Sequence, residues 1–271
     1  MNAIDFEYDG QYLSDYGFII CDFDGSSGAN VAIAGSNITF IKVAKHKGKS
    51  FSLTSTQYDE CITVTFDICK DPEVYAENER TITDDEFRDL MRWLNRREFC
   101  KFQVYDPDRE FDTCYYNASF NVQKIKVAEQ TCGLELTMET DKPFGYGLDE
   151  QYKYTFTGSG QSHIVVDISD EIGFVYPQLK ITCKTSGTLQ IRNDLFDDVF
   201  QIKNCSNGEV ITVDGENQII TSSLNSHKVY DDFNYTFLKI ANTFRNRRNE
   251  ISTNMSCDLE LRYTPIIKDV P

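Results

Sequence analysis

Positive charge is scarce in this sequence: 27 Lys and Arg stand against 43 Asp and Glu among 271 residues, a formal net charge of −16. Displacing counterions from phosphate needs a basic footprint, so the balance argues against nucleic acid as a partner, sequence-specific or not. It argues equally against a membrane, whose anionic surface attracts basic segments. No run approaches the roughly 20 apolar residues that cross a bilayer. Met1-Asn-Ala-Ile-Asp-Phe-Glu7 carries acids where a signal peptide needs a basic start, so synthesis in a cytoplasm without an export signal is expected. CxxC is absent, and nine dispersed cysteines read as reduced, mostly structural thiols. Only three histidines occur, His46, His163 and His227, none within metal-ligand spacing of another His or a Cys. No catalytic, cofactor-binding or metal-binding residue is assigned on this basis.

What the chain does have is β periodicity. Ile62–Ile68, Leu134–Glu139, Ile164–Ile168, Leu179–Cys183 and Leu259–Tyr263 alternate apolar with polar residues, the pattern of half-buried antiparallel strands. One segment differs, because Phe87, Leu90, Met91 and Leu94 lie at helical spacing, preceded by a Thr83/Glu86 capping-box pair. A helix is expected over about 84–96, with Trp93 at the flank of the stripe sealing its edge against a sheet. Asp141-Lys-Pro-Phe-Gly-Tyr-Gly-Leu-Asp149 is the clearest boundary. It divides residues 1–142 from a 143–149 linker and a purely β segment, 150–271, that reads as a sandwich or jelly roll.

Candidate chemistry is thin. Gly48-Lys49-Ser50 resembles the end of a phosphate-binding loop, but position 43 is Val where that loop requires Gly. Asp197-Asp198 and Asp231-Asp232 would suit a glycosidase only across a sugar cleft, and Asp214-Gly-Glu-Asn217 would offer oxygens to calcium. Turns and solvated faces are the favoured readings of all three. Phe244-Arg-Asn-Arg-Arg-Asn249 is read as a solvated loop.

The order of features resembles the distal tail proteins of long-tailed, siphovirus-type phages. The opening Phe6-Glu-Tyr-Asp-Gly10-Gln-Tyr-Leu-Ser14-Asp-Tyr-Gly17-Phe-Ile-Ile20 is similar to that family's aromatic strand, turn and Ser-x-x-Gly start. The Trp93-Leu94 helix end and the run Gly133-Leu-Glu-Leu-Thr-Met-Glu-Thr-Asp-Lys-Pro-Phe-Gly-Tyr-Gly147 resemble its helix and its Pro-aromatic-Gly exit. Later segments, Pro177–Ile181, Leu189–Asn193, Gly208–Ile220 and Phe233–Leu238, look like its C-terminal β-sandwich.

The resemblance implies a mainly β chain with one helix. It comprises an N-terminal β-barrel- or sandwich-like domain with an extended β arm, then a galectin-like β-sandwich. It implies a non-enzymatic hub in the virion, at the phage tail tip, assembled in the bacterial host cytoplasm. Six copies would form a homo-hexameric ring joining the tail tube protein to the tail-associated baseplate protein, with a receptor-binding protein or host cell-wall glycan as further partners. Ile38–Tyr58 is the candidate arm, and Lys42, Lys45, Lys47 and Lys49 are the candidate ring-arm contacts. They form a basic run within residues 1–142, which as a whole hold 26 Asp and Glu against 15 Lys and Arg. A lysine-rich edge that simply blocks aggregation is the competing reading. Two other functions are kept. One is a sugar-binding adhesion module in 150–271, with Tyr230, Phe233 and Tyr235 as candidate platforms though a core position is favoured for them; the other is a cell-wall glycosidase.

Overall fold

The computed structural model describes residues 4–23, 38–105, 114–243 and 245–268. The chain divides into two compact units, Met1–Tyr146 with Ile267–Pro271, and Gly147–Ile266.

In the first unit the strands are β1 (Asp5–Tyr8), β2 (Gln11–Tyr12), β3 (Phe18–Cys21), β4 (Ile38–Lys45), β5 (Ser50–Tyr58) and β6 (Thr63–Lys70). Helix α1 (Asp84–Leu94) follows, then β7 (Cys100–Tyr105), β8 (Cys114–Val127), β9 (Gln130–Thr140) and β10 (Gly145–Gly147). A nine-stranded sheet runs in the order β2-β1-β7-β8-β9-β6-β3, with β10 and the last strand, Ile266–Ile267, joined beside β8. The Ile20 N–H donates to the Ile4 carbonyl at 3.0 Å. That bond draws β3 back toward the start of β1 and gives the sheet its barrel-like curl.

Helix α1 starts where its cap chemistry places it. Thr83 Oγ1 accepts from the Glu86 N–H, and the Glu86 carboxylate takes the Thr83 N–H in return, at 2.8 Å. The buried face is turned slightly from the expected stripe: Leu90, Trp93 and Leu94 are buried, while Met91 is only half-buried. Leu90 is central to that face, and Trp93 lies at its flank as expected but fully buried rather than merely sealing an edge. Its indole N–H donates to the Tyr8 carbonyl at 3.0 Å, and its ring stacks on Tyr16 and Phe6 at 4.6 and 5.7 Å between centroids. Phe66, Phe102 and Phe120 complete the aromatic core beneath it.

The Ser14-x-x-Gly17 motif has a clear physical role. Ser14 bonds the Asp5 carboxylate through both its N–H and its hydroxyl, at 3.1 and 2.7 Å. Gly17 then ends the short turn in the left-handed region, φ 75°, where a Cβ would sit 2.6 Å from the Tyr75 hydroxyl. Only glycine satisfies both demands.

Behind the helix, Lys70 is 5% exposed, with its ammonium 2.7 Å from Glu86 and 3.1 Å from the Glu79 carbonyl, over the Tyr75 ring. One buried cation thus ties β6 to the helix start. Glu86 is buried enough to resist ionising, yet its bonds to Lys70 and Thr83 hold its carboxyl below the usual range.

The second unit holds β11 (Glu150–Phe156), β12 (Ser162–Val166), β13 (Gly173–Val175), β14 (Gln178–Cys183), β15 (Gly187–Asn193) and β16 (Val199–Cys205). It continues with β17 (Val210–Asp214), β18 (Ile219–Ser222), α2 (Val229–Asp232), β19 (Ile240–Asn242), β20 (Arg248–Thr253) and β21 (Cys257–Tyr263). Sheets β11-β21-β14-β17-β18 and β12-β20-β15-β16 enclose one core that includes Phe156, Ile181 and Leu259 from the first and Val165, Ile191 and Ile202 from the second. This is a β-sandwich.

One strand inverts its expected register. Val165, Asp167 and Ser169 point inward, while Ile164, Val166 and Ile168 are 41%, 39% and 42% exposed. The inversion is possible because the buried Asp167 carboxylate accepts from both the N–H and the hydroxyl of Ser169. Hydroxyls of Tyr154, Tyr152 and Tyr263 meanwhile donate to the carbonyls of Ile164 and Val166, holding the strand in that orientation. A one-residue shift in pairing would expose the core set instead.

Candidate assembly surface

The arm at Ile38–Tyr58 is a separate two-stranded ribbon, β4 against β5, bonded to no other sheet among the described residues. Pairing places Ile38, Phe40, Lys42 and Ala44 opposite Tyr58, Thr56, Leu53 and Phe51, so these eight share one face. Thr39, Ile41, Val43 and Lys45 share the other with Gln57, Ser55, Ser52 and Ser50. A bulge at Ile41/Lys42 keeps the two halves in phase. At the tip the backbone reverses through Lys47, φ 59°, and Gly48, φ 81°.

Among the described residues neither face is covered. Phe40, Val43, Phe51 and Leu53 are 55–65% exposed, against the usual preference of such side chains for a core. A lone hairpin is marginal in water, and contiguous apolar exposure of this kind marks a contact surface. At the base, Tyr58 packs edge-on against Phe144 at 6.2 Å, anchoring the ribbon where the Pro143-Phe144-Gly145 exit turns.

Lys45, Lys47 and Lys49 gather around the tip, while Lys42 sits lower on the shaft with its ammonium 5.7 Å from the Phe40 ring centre. All four are exposed, and none has an ion-pair partner among the described residues. The phosphate-loop reading of Gly48-Lys49-Ser50 fails here, since β5 begins at Ser50 where a helix would have to start.

Residues 1–142 match the phage tail protein N-terminal domain, and residues 144–263 match the phage tail C-terminal domain. The chain belongs to the phage tail protein family. A curated relative, the SPbeta prophage-derived uncharacterized protein YomH of Bacillus subtilis (strain 168), is 25% identical over 193 residues, 70% of this chain and 71% of that one. The crystal structure of SPP1 Dit (gp 19.1), described as a paradigm of the hub adsorption apparatus in phages infecting Gram-positive hosts, matches with a TM-score of 0.67. That match covers 96% of this chain and 98% of Dit at 13% identity, a likeness of fold.

Elsewhere in this phage tail protein the sequence candidates resolve into structural parts. Asp214 accepts from the N–H and amide of Asn217, which hold its carboxyl below the usual range, so Asp214-Gly-Glu-Asn217 is a turn. Asp198 pairs with Lys239 at 3.2 Å. Among the described residues no cluster of His, Cys, Asp and Glu is placed to hold a metal. Phe244 lies outside the described residues; Arg245 and Arg247 are exposed and Arg248 opens β20. Of the proposed aromatic platforms, Phe233 is core, 4% exposed, but Tyr230 and Tyr235 are 45% and 68% exposed. The expected core position is corrected for those two. The tyrosines sit on α2 and the loop after it, where no two-residue alternation marks burial, and the Tyr235 hydroxyl reaches only the Tyr230 carbonyl, at 3.0 Å.

One buried constellation escaped the sequence entirely: His227 beside Glu209 and Asp232. Glu209 lies 18 residues before the histidine with no spacing motif to connect them, and Asp232 lies on the short helix just after it.

Proposed function

We propose that the protein is the structural hub of a phage tail tip: six copies form a ring that joins the tail tube protein to the tail-associated baseplate protein. The observation that carries this reading is the match of both units, over nearly the whole chain, to a protein described as a hub of an adsorption apparatus. The virion tail is its place, with assembly in the host cytoplasm, and its role is non-enzymatic. The uncovered apolar faces of the β4–β5 ribbon support the arm as the contact between neighbouring copies. The second unit is the part available to a receptor-binding protein or a host cell-wall glycan.

Lys42, Lys45, Lys47 and Lys49 steer that contact onto the acidic surface of the neighbouring first unit. The charge also bears on the channel, because six first units, each with a balance of −11 over residues 1–142, would repel passing DNA rather than bind it. Electron microscopy with mass determination of the purified chain is expected to show closed rings. Reversing Lys45→Glu and Lys47→Glu should weaken assembly at low salt, with the difference from the parent shrinking as salt screens the charges. An oligomer mass unchanged by the reversal at both low and high salt would remove the electrostatic role.

A further inference from the structure

His227 is almost fully enclosed in the second unit, its side chain 6% exposed, between two carboxylates. Its Nδ1 lies 2.5 Å from Glu209 Oε1, and its Nε2 lies 3.3 Å from Asp232 Oδ2. Both acids are committed by other bonds. Glu209, 0% exposed, also accepts from the Ser222 hydroxyl at 2.5 Å and the Ser206 N–H at 2.8 Å. Asp232 accepts from the Asn204 amide at 2.8 Å.

Glu209 is held through both oxygens and Asp232 through Oδ1, so the protonation state of the ring decides how well the site is satisfied. A neutral imidazole carries one N–H and one lone pair. With the proton on Nδ1, the Nε2 lone pair faces Asp232; with it on Nε2, the Nδ1 lone pair faces Glu209 at hydrogen-bond distance. Either tautomer sets a lone pair against a carboxylate, and only the imidazolium presents an N–H toward both. As placed, Nε2 is buried and makes no hydrogen bond, which marks the weaker and more easily released half of the site.

We propose that His227 is a protonation latch. As imidazolium it holds the turn before β17 and helix α2 together, and on losing its proton it must release α2. The release has a surface consequence, because α2 carries the exposed Tyr230, whose hydroxyl accepts from the Ile220 N–H at 3.2 Å. Tyr235 is tied in turn to the Tyr230 carbonyl, from a left-handed backbone, φ 59°, that a bulky side chain adopts only under constraint. Opening the latch loosens this aromatic surface as one piece.

The groups facing the ring are Glu209 from the turn, Asp232 from α2 and Cys205 from the end of β16; Asn204 and Ser222 face those acids as neutral donors, and Lys228 and Asp231 are exposed on the flank. Burial alone would disfavour the charged ring, but the bond to Glu209 and the nearby negative groups outweigh it and raise the His227 pKa above its ordinary value. Burial likewise opposes the Glu209 charge, and its bonds to Ser222, His227 and Ser206 outweigh it and lower that carboxyl. A raised histidine contributes stability that is fully present below its unfolded value, about 6.5, and is lost as pH rises through the folded value. A lowered carboxyl loses its contribution as pH falls through its own folded value. The latch is closed between those two limits and opens on the alkaline side through His227.

Two measurements on the full chain test this. Ring-nitrogen resonances of the three histidines, assigned by elimination with His46→Gln and His163→Gln, are expected to show His227 protonated on both nitrogens at pH 7. Hydrogen exchange of residues 224–235, corrected for intrinsic rate, should speed up at least about tenfold as pH rises through that titration. The step should vanish in His227→Gln and persist in Cys205→Ser. A neutral single-tautomer ring at pH 7 would overturn the latch even if the Gln variant fails to fold. So would a step that survives His227→Gln, or one that disappears only in Cys205→Ser.

Discussion

Trp93→Ala is expected to destabilise the first unit by about 3–5 kcal/mol, the range for deleting a large buried aromatic from a close-packed core. Three losses combine. The side chain is 3% exposed, so its removal leaves a cavity among Phe6, Tyr8 and Tyr16 rather than a solvated gap. Its stacking partners lose their ring contacts, and the Tyr8 carbonyl loses the indole donor at 3.0 Å. Against a total of about 5–15 kcal/mol for a typical domain, that is a large share. Denaturant unfolding checks it: the midpoint of the first-unit transition should fall at an unchanged slope. An unfolding free energy within about 0.5 kcal/mol of the parent would mean the helix does not hold the sheet through this residue.

The second large effect separates assembly from folding. Phe40, Phe51 and Leu53 lie on one face of the arm and are 56%, 65% and 56% exposed. Replacing all three with serine removes little from the isolated chain, and exposed substitutions usually change stability by no more than about 0.5 kcal/mol. Covering their exposed halves in a ring is worth about 1 kcal/mol each, and about 3 kcal/mol together corresponds to roughly a hundredfold in association. The triple variant is therefore expected to unfold at the parental midpoint yet fail to enter tails, scored by the protein content of purified particles. Normal incorporation would show that this face of the arm covers nothing in the assembled tail.

Much of the fold was legible because it is local. The Thr83 and Glu86 cap, the alternation through Phe66 and Ile68, and that through Leu134, Leu136 and Met138 all report on neighbours a few residues away. The arm was placed through the family resemblance, with its run of lysines marking the segment. The misreadings have a common physical origin in distant partners. Ile164–Ile168 turned inside out because Ser169 satisfies Asp167 and because tyrosines from β11 and β21 reach its carbonyls. Trp93 keeps its flank position but is buried more deeply than an edge seal because Tyr16 and Phe6, some eighty residues earlier, build the pocket it fills. The pairing of His227 with Glu209 gave no signal, because that carboxylate comes from a turn 18 residues earlier, while Asp232 is a local neighbour on the helix that follows the histidine.

The place of the protein in the particle can be read from cryo-electron microscopy of assembled tails carrying this chain. Six copies are expected in a ring at the distal end of the tail tube, with the Ile38–Tyr58 ribbon of each copy lying against its neighbour. Density for this chain along the tube wall or at the head-proximal end, or a ring in which the ribbons stand free in solvent, would contradict it.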